Sequence, residues 1–194
     1  MPQGRTLTPG YTVVYPNREK ASSKLIKLIV VLLLLASAAL MLIITIGGWS
    51  KLQGLKPVDF VWAAAYVIIA FYITSRWARG LLPIAAALAI LLLITAVIAG
   101  TGASGTSWFD RTNFGFAPAQ SLFGGQGLGP NTLGTLTIIL IPVEAALIFF
   151  SMMGFAQGWN VELEVPIEEA RRRGYNPPPA AQPPAQPPAQ PASA

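Results

Sequence analysis

The stretch LIKLIVVLLLLASAALMLIITI, residues 25–46, decides the fold. It carries one charge, Lys27, near its start, and no Gly or Pro. A bilayer core about 30 Å thick is crossed by about 20 apolar residues at a helical rise of about 1.5 Å each. The run is long enough to span. It lacks the apolar–polar alternation that a membrane barrel strand requires. Lys24 precedes it, Lys27 lies at its start, and Ala36, Ser37 and Ala38 lie within it, as in a secretory leader. The apolar run continues beyond that small-residue patch, however, and a leader's apolar region is only about 7–15 residues long. We therefore read an uncleaved anchor.

Three further runs of the same kind follow at 58–75, 81–99 and 135–157. Across all four spans only Lys27, Asp59 and Glu144 are charged. The 194-residue chain as a whole is 53% hydrophobic and 11% charged, against about 25% charged residues in a soluble domain. Its mean hydropathy is +0.55. These values leave too little polar surface to cover four apolar helices in water. The expected fold is an all-α integral membrane protein, a bundle of four transmembrane helices.

The flanking segments complete the plan. Residues 1–24 form an N-terminal arm, 25–157 the transmembrane domain with a long connection at 100–134, 158–176 a juxtamembrane segment and 177–194 a disordered Pro/Ala/Gln tail. Ten of the thirteen Lys and Arg fall before or at the start of the first span, where Lys27 lies, between the second and third, or after the fourth. Lys51, Lys56 and Arg111 alone lie on the alternate side. The positive-inside rule then places both termini in the cytoplasm of a multi-pass cell-membrane protein. Trp49, Trp62, Trp77, Trp108 and Trp159 fall at or near span ends, as interfacial aromatics do. The net charge of +5 belongs mostly to the cytoplasmic-facing segments and is not a nucleic-acid signal.

Outside the spans, YTVVY at 11–15 suits an extended piece, but no partner strand is evident and the arm is read as mostly irregular. WNVELEV at 159–165 alternates apolar and acidic residues like a strand. Pro166 then opens a short helix, IEEARRR, with Glu168–Arg172 and Glu169–Arg173 in the favourable i,i+4 order. The 100–134 connection is Gly-rich yet holds Trp108, Phe109, Phe114, Phe116, Leu122 and Phe123. A disordered linker does not use such residues. A short interfacial helix near 117–123 is expected, within a segment that shields helix ends or docks a partner. Trp108, Asp110, Arg111, Phe114 and Phe116 are the candidate contacts. The Gly-rich run 124–129 follows no strand and has no Lys, so it is not read as a phosphate loop. PPAQ recurs in the tail, which reads as a polyproline spacer.

The chemistry on offer is narrow. The chain has no Cys and no His, which removes thiol nucleophiles, His-based triads and Cys/His metal sites. No cofactor and no enzymatic activity are expected. The residue that invites attention is Glu144, near the middle of the fourth span. An ionised carboxylate there costs several kcal/mol unless it is paired or protonated. Pro142 removes a backbone donor, frees the carbonyl of Ile138 and is a candidate helix kink. Glu144 has three readings: a proton or cation step, an interhelical hydrogen bond, or a pair with a partner protein. Candidate hydroxyl partners are Tyr66, Tyr72, Thr74, Thr95, Ser37 and Thr45. The alanines at 36, 38 and 39, 63–65, and 85–87 and 89 allow close helix approach. The leading expectation is a non-catalytic accessory or scaffold subunit of a larger membrane assembly. Its partners would be the lipid bilayer and a membrane protein or a second copy. The alternative is an oligomeric proton- or cation-coupled transporter or channel using Glu144.

Overall fold

The computed structural model describes residues 8–51, 56–101, 121–122 and 124–175. The order of elements is β1 (Tyr11–Val14), α1 (Pro16–Glu19), α2 (Ala21–Gly47), α3 (Lys56–Arg76), α4 (Leu81–Thr101), α5 (Pro130–Ala156), β2 (Leu163–Pro166) and α6 (Ile167–Arg172). Among the described residues four helices, α2 to α5, are long and apolar enough to cross a membrane. The chain divides into a helical unit, Asn17–Asn160, and a small unit made from its two ends, Met1–Pro16 and Val161–Ala194.

Each long helix overlaps its expected span, with ends set by local chemistry. Gly47 and Gly48 close α2, the Gly48 N–H reaching back to the Ile44 carbonyl at 2.7 Å. Pro57 and Asp59 lie in the first turn of α3, where a missing donor is harmless and a carboxylate favours the helix dipole. The α5 helix starts five residues before the expected 135. Pro130 follows Gly129 at the first helical position, so the Gly/Pro run there opens a helix rather than extending the loop. The connection is correspondingly shorter than 100–134. The expected helix near 117–123 and the contacts Trp108, Asp110, Arg111, Phe114 and Phe116 lie outside the described residues, as does the 177–194 tail.

Within the helical unit, α4 packs along α5, α5 along α2, and α2 along α3, whereas α3 and α4 touch only slightly. The buried stripe of α5 is Leu133, Thr137, Leu140, Glu144, Leu147, Ser151 and Gly154. These steps alternate between four and three residues, the 3.5-residue repeat of left-handed helix packing. Ala63, Tyr66, Ala70 and Ile73 make the matching stripe on α3, and Leu82, Ala85 and Ala89 begin one on α4. Leu28, Leu32, Leu35, Phe71, Leu91 and Phe149 point outward, each more than two-fifths exposed. Large apolar side chains thus lie outside as well as inside, while Ser37, Thr45, Thr137, Glu144 and Ser151 are buried. An apolar outer face with small and polar residues among the buried ones suits a helix bundle in lipid.

The small unit corrects the expectation for the N-terminal arm. Residues 11–14 are not irregular: β1 pairs antiparallel with β2, Tyr11 facing Pro166 and Val14 facing Leu163. The partner strand comes from the other end of the chain, so local sequence could not announce it. The strand-like signature at 159–165 is displaced to 163–166, and the fold is all-α only apart from this two-stranded sheet. Tyr15 donates its hydroxyl to Glu162 at 2.9 Å, and the Ile167 N–H bonds the Gly10 carbonyl at 3.0 Å. α6 follows as a short helix, with Arg173 paired to Glu169.

Candidate functional site

The stripe of α5 turns Glu144 into the bundle at the fifteenth of its 27 residues, and the side chain is fully buried. Ser37, near the middle of α2, and Tyr66, at the middle of α3, are fully buried beside it. The Ser37 hydroxyl donates to Oε1 of Glu144. The Tyr66 hydroxyl donates to Oε2 at 2.8 Å. One carboxyl group therefore ties three helices together at mid-depth.

The other hydroxyls named from sequence are engaged elsewhere or face outward. Thr74 bonds the carbonyl of Ala70 at 2.8 Å and Thr95 that of Leu91 at 2.9 Å, each within its own helix. Thr45 donates to Asp59 at 3.1 Å, one polar link nearer the α2–α3 connection. Tyr72 is 42% exposed on the outer face of α3. Pro142 does not converge with Glu144. It is exposed, two residues earlier and so on the opposite side of α5, which runs continuously through it.

Chemically, the site offers a carboxyl group whose bonded neighbours are two hydroxyls rather than a cation. A hydroxyl both donates and accepts, so the same pair can serve a carboxylate or a protonated acid. Seven residues beyond Glu144 on the same stripe, the Ser151 hydroxyl is buried without a partner. Among the described residues no cluster of acidic side chains is suited to a metal ion.

The two ends of the bundle hold features that the sequence reading treated only as interfacial aromatics. At the α2–α3 end, Lys56 donates to the Trp49 carbonyl at 2.6 Å and lies 4.4 Å from the centre of its ring. The Leu128 N–H bonds the Gly47 carbonyl at 2.8 Å, and its side chain fills the space that a Cβ on Gly47 would need. At the α3–α4 end, Trp159 is fully buried rather than lipid-facing, edge-on to Trp77 with centroids 5.3 Å apart. The signal that could have marked it is Gly154, one of the small residues on the α5 stripe, over which the indole lies.

Fold and site together define, among the described residues, a bundle of four helices long and apolar enough to cross a membrane, with a buried three-helix polar junction. Comparison with protein-family models, with characterised proteins and with solved structures finds no match.

Proposed function

We propose that this chain is a non-catalytic accessory or scaffold subunit of a larger membrane assembly. The observation that carries the reading is the use of Glu144. Both carboxyl oxygens are engaged by Ser37 and Tyr66 within the chain, so the polar group at mid-membrane serves to join helices. Buried polar networks that are satisfied in this way give a bundle one arrangement. In this reading both termini face the cytoplasm, in line with the loop charges. The aromatic connection bearing Trp108, Asp110, Arg111, Phe114 and Phe116 meets the partner on the outer side, and the Pro-rich tail is a spacer. The test is the native mass after gentle detergent extraction from the host membrane, with mass spectrometry of co-purifying proteins. A stoichiometric complex retained by Glu144→Gln supports the reading. Recovery of the chain alone, or only as its own oligomer, overturns it.

A second reading, an oligomeric proton- or cation-coupled transporter or channel, is favoured by one observation. Glu144 bonds hydroxyls and not a fixed cation, so it can take up a proton without breaking an ion pair. That reading expects Glu144→Gln to abolish proton flux in reconstituted vesicles while the bundle remains folded.

A further inference from the structure

The α3–α4 end of the bundle holds a second polar cluster that the buried junction does not use. Lys27 donates from Nζ to the Thr74 carbonyl at 2.7 Å and lies 3.9 Å from the centre of the Trp77 ring. Arg79 donates from Nε to the Phe155 carbonyl at 2.7 Å, with its guanidinium 4.3 Å from the Phe155 ring centre. Arg76, one residue before Trp77, is exposed. No carboxylate lies within ion-pair distance of Lys27, Arg76 or Arg79 among the described residues. Trp77 itself holds φ at +52°, a left-handed conformation that a bulky residue rarely adopts. That conformation belongs to the short turn from α3 to α4, which gathers Arg76, Trp77 and Arg79.

We propose that this turn, with Lys27, binds the phosphate of an anionic phospholipid headgroup. Capping of helix C-termini explains only part of the arrangement. It occupies one donor of Lys27 and the Nε of Arg79. Among the described residues it leaves the terminal guanidinium nitrogens of Arg79 and the whole Arg76 head group available. An Arg fork matches phosphate oxygens in pairs, and a lysine ammonium adds a point charge. Lys27 and Arg79 are already held by carbonyls and ring faces, so binding orders little more. The location selects the source of the phosphate. The cluster lies where membrane-crossing helices end, beside an indole, at the depth of lipid headgroups. Clusters of Lys and Arg at this position attract anionic lipids. The inference is independent of the accessory-subunit reading.

The test is a lipid titration of the full-length protein in detergent, read by native mass spectrometry, with phosphatidylglycerol against phosphatidylcholine. Preferential retention of phosphatidylglycerol is expected. Arg76→Gln should weaken it about fivefold, and the Lys27→Gln/Arg76→Gln double variant roughly 25-fold, following the attraction of each cation to an anionic surface. Lys51→Gln, at the opposite end, should leave it unchanged. The Arg76 side chain makes no bond among the described residues, so its variant separates binding from folding. Equal retention of the two lipids, or a preference that survives the double variant, overturns the proposal. So does binding of free glycerol 3-phosphate with the same dependence on Arg76, which would assign the site to a soluble phosphate.

Discussion

Glu144 illustrates how far a single residue can be read before its neighbours are known. A charge in an apolar run is conspicuous because its burial is costly, and Ser37 and Tyr66 both stood among the six hydroxyls able to satisfy it. Choosing those two required knowing which faces of α2 and α3 turn toward α5. The bonds also make a prediction. Interhelical hydrogen bonds in membranes average about 0.6 kcal/mol and reach about 1.7. Tyr66→Phe should therefore destabilise the bundle by about that much, and a double-mutant cycle with Glu144→Gln should show coupling in the same range. Reversible unfolding in mixed micelles measures it. Coupling indistinguishable from zero would remove the Tyr66–Glu144 bond from the account of stability.

At the scale of one element, α5 shows why helix faces were harder to read than helix positions. Its length and apolarity marked it, but Leu, Ile and Phe occur on every side. What distinguishes the inward stripe is small and polar residues, ending in Gly154. A Cβ built there meets Leu82 and the Trp159 indole at 3.2 Å and Ile26 at 3.3 Å. Gly154→Val should overpack this junction and cost about 1–3 kcal/mol. Gly134→Val, in the same helix with open space around it, should cost far less. Thermal unfolding in detergent compares the two, and equal losses would show that helix propensity rather than packing governs both. The Pro142 side of α5 teaches a related lesson. Two residues suffice to put Pro142 and Glu144 on opposite faces, so proximity in sequence did not make one site of them.

For the molecule as a whole, orientation is the property that loop charge argues and that labelling decides. The chain has no native Cys, so single-cysteine variants report without background. With both termini cytoplasmic, Lys51→Cys should react with a membrane-impermeant maleimide added to intact cells. Arg76→Cys should react only after the membrane is opened. The reverse pattern would invert the topology and move the cluster around Arg76 to the outer leaflet.

The four spans needed no tertiary information. Whether a helix can cross a bilayer depends on its own length and apolarity, and both are properties of a continuous run of residues. The pairing of 11–14 with 163–166, the burial of Trp159 and the convergence of Ser37, Tyr66 and Glu144 belong to the folded chain. Each joins segments far apart in sequence. In lipid, moreover, the outer face of a helix is as apolar as the packed one, so hydropathy does not point inward. Close packing and the need to satisfy buried polar groups choose the face instead, and both act only once the helices meet.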